Sequence, residues 1–253
     1  DNVDKAMAVE WLTKAAQKGN AVFQFNLANC YFNGEGVERN YEEAVNWYGK
    51  AAEQNHVESQ YILGKCYYNG QGVDTCFVQA VSWFSKAALH GNANAQYDLG
   101  NCYFNGQGVD ENIETALKWY SKAAENGNVK AQTALATCME RGIGMEMDLF
   151  KAFEWYKKSA MGGDNVAQYN LARYYYYGIG VERDYGLADC KWWSNNRIWN
   201  GGGTMSTMNF KSQIAPKGLS FGYSDFFVSD KYATILSVVS YPKFVYMVAF
   251  VAA

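Results

Sequence analysis

A 36-residue period runs through most of this 253-residue chain. Gly34-x-Gly36 returns as Gly70-x-Gly72, Gly106-x-Gly108, Gly142-x-Gly144 and Gly178-x-Gly180. Trp47, Trp83, Trp119 and Trp155 keep the same step, and Trp11 extends it backwards. So do Leu27, Leu63, Leu99, Leu135 and Leu171, and Ala44, Ala80, Ala116, Ala152 and Ala188. Registers that stay in step over this length mark a repeat array, in which each unit buries its apolar face against its neighbours.

Each unit reads as two helices. At about 100° per residue, positions 23, 24, 27, 28, 30 and 31 fall within an arc of about 160°. They hold Phe23, Gln24, Leu27, Ala28, Cys30 and Tyr31, a predicted buried face. Positions 22, 26, 29 and 33 gather opposite. Gly34 follows, the residue type that takes a left-handed C-cap most cheaply. A second helix is predicted to start at an N-cap such as Asn40, Asn112 or Asp148 and to run through Trp47 to Lys50-Ala51-Ala52. Gly19-Asn20, Gly91-Asn92 and Gly127-Asn128 mark where such helices close. Alanine or glycine at 28, 64, 100, 136 and 172 lets paired helices approach closely. The fold class that follows is all-α: a solenoid of helix-turn-helix repeats, with a short non-repeat C-terminal segment of β character.

Composition excludes several classes. The two prolines, Pro216 and Pro242, both lie beyond the repeats, so nothing there interrupts long helical runs. Net charge is −3, and five basic and two acidic residues follow position 193, leaving 17 basic and 23 acidic within the repeats. Nucleic acid is therefore not an expected partner. No run of eighteen apolar residues occurs, so no helical membrane span is expected. The first residues, Asp1-Asn2-Val3-Asp4, do not read as a signal peptide, although a leader could have been removed before them.

Units such as Ala95-Gln96-Tyr97-Asp98-Leu99-Gly100-Asn101-Cys102-Tyr103, Gly106-Gln107-Gly108-Val109 and Ala116-Leu117-Lys118-Trp119-Tyr120-Ser121-Lys122-Ala123-Ala124 resemble Sel1-like repeats, relatives of tetratricopeptide repeats. The resemblance covers residues 1–193, read as a leading half repeat plus five repeats, with residue 1 at the position of Val37. Lys191 stands where the Trp register predicts tryptophan, which makes the last unit degenerate. The resemblance implies a right-handed α-solenoid whose concave face, lined by the first helices, holds protein partners. Cysteine-rich relatives pair two cysteines within one repeat, a pattern absent here, which counts against their oxidised form and any hydrolase activity associated with it.

Residues 194–208, with Trp199-Asn200-Gly201-Gly202-Gly203-Thr204, read as a linker. In 209–253, Phe226-Phe227-Val228 and the stretch from Tyr232 to Val239 favour strands. Residues 209–245 weakly resemble the opening of conjugation-type secretion ATPases, through Ile214-Ala215-Pro216-Lys217-Gly218 and Tyr241-Pro242, but no Walker motif accompanies them. The apolar run from Tyr246 to Ala253 reads as cut off, as in a fusion or a truncated frame.

No catalytic constellation stands out. The Gly-x-Gly pairs lack the third glycine and preceding strand of a phosphate cradle, and recur where helices must turn. Cys30, Cys66, Cys102 and Cys138 share one register without metal-ligand spacing. They are expected to be buried free thiols, because stacked helices about 8–10 Å apart are too distant for disulfides. That usage points to a reducing, cytoplasmic compartment. His56 and His90 fall at inter-repeat turns and are expected to be solvated. The tryptophans read as core, with a cost of about 3–5 kcal/mol for Trp83→Ala. Neither cofactor nor metal is expected, and the chain is expected to be monomeric.

One face remains. Asn29, Lys65, Asn101, Thr137 and Arg173 share a register, and Asn33, Asn69, Asn105 and Arg141 form a parallel row one turn on, with Asp98 beside them. The face reads either as solvated helix surface or as a peptide groove. For the groove, amides can both donate to and accept from a partner backbone, and Phe25, Phe32, Tyr61, Tyr68, Tyr97 and Phe104 lie alongside. The binding residues expected are Asn29, Lys65, Asn69, Asp98, Asn101, Asn105, Thr137, Arg141 and Arg173, with Asn101 and Asn105 both exposed and an acidic end of the partner toward the later repeats. Two functions follow: a non-catalytic scaffold binding another protein or peptide, or, as the alternative, a regulatory or binding region of a larger enzyme or secretion-system component, or a hydrolase of the cysteine-rich type.

Overall fold

The computed structural model describes residues 2–188, and beyond them the backbone of 236–241 and 244–249. The chain divides into two units, 1–197 and 198–253. In the first, α1 (Asn2–Gln17) is followed by five first helices, α2 (Ala21–Asn33), α4 (Val57–Asn69), α6 (Ala93–Asn105), α8 (Val129–Arg141) and α10 (Asn165–Tyr177). They alternate with second helices α3 (Tyr41–Glu53), α5 (Phe77–Leu89), α7 (Ile113–Glu125) and α9 (Leu149–Met161), and the described part ends in α11 (Tyr185–Ala188). Each helix packs on the ones before and after it, which makes the unit an all-α solenoid. In the second unit, β1 (Leu236–Tyr241) pairs antiparallel with β2 (Phe244–Ala249), Leu236 opposite Ala249 and Tyr241 opposite Phe244. The expected strand character thus appears at 236–241, whereas 226–228, the linker 194–208 and most of the segment resembling an ATPase lie outside the described residues.

Helix ends follow the turn chemistry. Asn40, Asn112 and Asp148 accept backbone N–H bonds at the starts of α3, α7 and α9. Cys76, at the same place before α5, makes no side-chain cap. Each first helix ends in a left-handed glycine whose N–H reaches back to the carbonyl four residues earlier, as Gly106 does to Cys102. Second helices close one residue past the cap with another positive φ, at Gly19, Gly91, Gly127 and Gly163, and at Asn55.

The core is built around one aromatic per repeat. Tyr48, Phe84, Tyr120 and Tyr156 are 0–4% exposed. They sit one residue after the tryptophans and face the small residues of the first helices. A Cβ on Gly64 would stand 2.6 Å from the Phe84 ring, and one on Gly100 2.7 Å from Tyr120. The expected arc is buried at Gln24, Leu27 and Ala28, whereas Phe23 is 43% exposed. The tryptophans are a correction. Trp47, Trp83, Trp119 and Trp155 are only half-buried, and the lysine three residues on lies over each ring, at 3.9, 3.7, 4.6 and 4.8 Å. With part of the indole in solvent, Trp83→Ala removes less buried area than the expected loss assumed.

A glutamine, buried in all but the last of the five, joins each repeat to the one before. Gln24, Gln60, Gln96, Gln132 and Gln168 donate through Nε2 to the carbonyls of Ala16, Ala52, Ala88, Ala124 and Ala160, at 3.0–3.3 Å. Those carbonyls lie in the last turn of a preceding helix and also accept the backbone N–H three residues on, from Gly19, Asn55, Gly91, Gly127 and Gly163, so the amide adds a second bond to each.

The second glycine of each Gly-x-Gly pair fixes the stacking. Gly72 and Gly108 have positive φ, and a Cβ on them would stand 2.3 and 2.4 Å from the carbonyl oxygens of Tyr41 and Phe77, in the preceding second helix. Around Gly106 the nearest atom would be 3.5 Å away. Gly106→Ala should therefore cost about 1 kcal/mol for its backbone conformation, and Gly108→Ala about 3 kcal/mol, because the neighbouring helix must also move. Urea denaturation of the two variants checks the order.

Candidate functional site

Residues 25, 29 and 32 are spaced i, i+4 and i+7, so α2, α4, α6 and α10 each present one stripe of aromatic, polar and aromatic side chains. The stripe straddles the buried aromatic beneath it. Tyr48 lies 6.0 Å from Phe25 and 6.2 Å from Phe32, centroid to centroid. Phe84 is flanked by Tyr61 and Tyr68, and Tyr120 by Tyr97 and Phe104, all at 5.9–6.2 Å. In the fourth repeat Thr133 and Glu140 replace both rings.

The middle row is tied to that core. The Tyr48 hydroxyl donates to Asn29 Oδ1 at 2.6 Å, and Tyr120 to Asn101 Oδ1 at 2.8 Å. The Tyr156 hydroxyl lies 3.0 Å from Thr137 Oγ1 and donates to Glu140 at 2.8 Å. Where the core residue is Phe84, with no hydroxyl, the middle position is Lys65. Its ammonium instead pairs with Asp98 at 3.6 Å, and the Tyr61 hydroxyl donates to the same carboxylate at 3.2 Å. Arg173 pairs with Glu140. Asn101 is therefore half-buried and serves the scaffold, contrary to the expectation that the row lies free. A first helix is flanked by two second helices, as α6 is by α5 and α7, so a single buried arc underestimates its contacts.

The outer row is different. Asn33, Asn69, Asn105 and Arg141 are exposed; Asn105 Nδ2 donates to the carbonyl of Asn101 at 3.0 Å. Of the nine residues expected to bind, Asn69, Asn105 and Arg141 are exposed, and the Lys65 side chain is 38% exposed although it pairs with Asp98. Lys65 with Asp98 and Arg173 with Glu140 are ion pairs, while Asn29, Asn101 and Thr137 meet tyrosine hydroxyls. The expected charge gradient shrinks to Arg141, because Glu140 balances Arg173.

The remaining candidates have structural places. Cys30, Cys66, Cys76, Cys102 and Cys138 are free, and Cys66, Cys102 and Cys138 are buried. His56 is not simply solvated: its Nδ1 accepts from Ser59 N–H at 3.3 Å as the N-cap of α4, and its ring lies 4.8 Å from Phe25. His90 is exposed at the end of α5. Among the described residues, no group of three or more His, Cys, Asp or Glu side chains could hold a metal ion, and no helix is long and apolar enough to cross a membrane. Sequence reasoning missed the glutamine ladder and the buried Tyr/Phe position, although glutamine stands at 24, 60, 96, 132 and 168 without exception.

Burial pushes the Cys66 thiol up to about 11 and, helped by Asp98, Cys102 up to about 12. Burial also raises the hydroxyls of Tyr48, Tyr120 and Tyr156 above the ordinary tyrosine range. The folded state thus holds these protons more tightly than the unfolded chain. Their contribution is complete below the ordinary thiol value of 9.0 and is lost as pH rises through the folded values. The urea midpoint should fall between about pH 9 and 12, and less steeply in a Cys66→Ala/Cys102→Ala variant.

The model of the Sel1 repeat matches residues 2–20, 21–56, 57–92, 93–128, 129–164 and 165–188. Among solved structures, the chain is similar to c5321, a protective antigen of uropathogenic Escherichia coli strains with an SLR fold. Identity is 41% and TM-score 0.70, over 72% of this chain and 39% of that one. It is also similar to a Sel1 repeat protein from Oxalobacter formigenes, with 34% identity and TM-score 0.68, over 73% of this chain and 76% of that one. This chain thus spans 39% of the length of the E. coli antigen chain. No curated protein matches it. The match to secretion ATPases finds no support in these comparisons. Sel1 repeat proteins are generally protein-interaction scaffolds and typically non-catalytic. With most of its length matched repeat by repeat, the chain belongs to the Sel1 repeat family.

Proposed function

We propose that this chain is a non-catalytic scaffold that holds a segment of another protein along the face of its first helices, the concave face of the array. The observation that carries this reading is the division of labour on that face. The middle row spends its hydrogen bonds on the core, whereas Asn69, Asn105 and Arg141 are exposed, the two asparagines directly after the half-buried rings of Tyr68 and Phe104. Half-buried rings add contact area at little entropic cost, and adjacent amides give direction. Arg141 suits one acidic group on the partner. The protonated, buried thiols suit a reducing cytoplasmic setting, and the chain works as a monomer in this reading.

The test is a triple variant, Asn69→Ala/Asn105→Ala/Arg141→Ala, used as bait in extracts of the native host. Because all three are exposed, helicity and melting temperature should stay within about 2 °C of wild type. Recovery of the wild-type partner should fall about tenfold or more. Undiminished recovery with intact folding would contradict the assignment of this face.

A further inference from the structure

The second repeat departs from both its neighbours at the start, the end and the middle of its second helix. At the starts of α3 and α7, Asn40 and Asn112 accept from the N–H groups of Glu43 and Thr115, and glutamates stand in the first turn. Before α5 the same place is held by Cys76, which makes no side-chain cap, and no acidic residue follows in the first turn. A cap and a carboxylate at that end both stabilise a helix.

At the other end, Gln54 and Asn126 donate to the side-chain oxygens of buried Gln24 and Gln96, at 2.7 and 2.8 Å. His90 holds that position after α5. Its Nδ1 lies 2.8 Å from the carbonyl oxygen of Lys86, and Oε1 of the fully buried Gln60 is left without a partner. A buried acceptor that loses water and gains no donor weakens the joint it belongs to. In the middle, the hydroxyls of Tyr48 and Tyr120 bond to Asn29 and Asn101, whereas Phe84 has no hydroxyl to offer. None of the three links that fasten α3 and α7 is made by α5.

The polar side chains of α4 turn to the third repeat instead. Tyr61 and Lys65 reach Asp98 of α6, and Tyr68 donates to Gln107 just beyond it. Glu58 accepts from Asn92 just before α6, at 3.1 Å. These links bypass α5, which is held to α4 through apolar contacts around Phe84 and Gly64. Tyr61 and Tyr68 both rest on that ring.

We propose that α5 is a release point built into the array. It opens locally ahead of the second helices on either side and takes with it the Phe84 ring that supports Tyr61 and Tyr68, while α4 stays fastened to α6. Native-state hydrogen exchange in the full chain, followed at the amides of α3, α5 and α7, reads the order of opening. An array that only frays from its end opens α3 before α5, and α5 before α7. The proposal expects α5 to exchange about tenfold faster than both α3 and α7. It also expects Cys76→Asn/His90→Asn, which copies the third repeat, to slow α5 about tenfold without changing α7. The wild-type order stands as a test without the variant. Any order in which α5 is not the fastest of the three, or an α5 rate that the folded variant leaves unchanged, overturns the proposal.

Discussion

Both the core and the exposed face depend on one buried aromatic per repeat. Tyr48, Phe84, Tyr120 or Tyr156 projects from the second helix beneath a small residue of the first. The small residue sets how closely the helices approach, and the ring fills the space that remains. A tyrosine there brings a hydroxyl into a site with almost no solvent, which is costly unless the hydroxyl is hydrogen-bonded. Asn29, Asn101 and Thr137 meet that requirement. In the first three stripes the two surface aromatics rest on the same ring, so the core fixes their spacing on the face above it.

This arrangement separates two kinds of polar residue that share a helix. Side chains at 29, 101 and 137 bond to the core, and those at 69, 105 and 141 are exposed. Phe84 shows that the first group is governed by the core: where the hydroxyl is missing, the amide is missing too, and Lys65 turns to Asp98 in the next repeat. Balanced pairs on the floor of the face leave little net charge there. Recognition by shape and amide hydrogen bonds fits such a surface better than electrostatic steering does.

Much of the architecture could be read before any coordinates. The glycine period located the turns, and asparagine or aspartate before a Trp-containing segment located the helix starts. Cys76 marks the limit of that rule, since it holds the cap position without capping. The site was harder to read. A helical wheel assigns burial from a single stripe, but a solenoid's first helix touches second helices on two sides. Asn101 therefore looked free on the wheel while its side-chain Oδ1 accepts from the Tyr120 hydroxyl. The tryptophans misled for a related reason: large indoles suggest core, yet the smaller ring one residue later has the buried place, and the indole shares its face with a lysine. The internal copies did carry the corrective signal, in the constant glutamine and in the paired change from Asn and Tyr to Lys and Phe.

A double-mutant cycle between Tyr120→Phe and Asn101→Ala tests this account most directly. Urea denaturation of wild type, the two single variants and the double variant yields the coupling free energy between the two side chains. The account predicts a coupling of about 1 kcal/mol, because each single variant leaves the buried Tyr120 hydroxyl or the half-buried Asn101 amide without its partner. Additive effects would mean that the middle row does not serve the core, and the division between scaffold and binding residues on this face would fail.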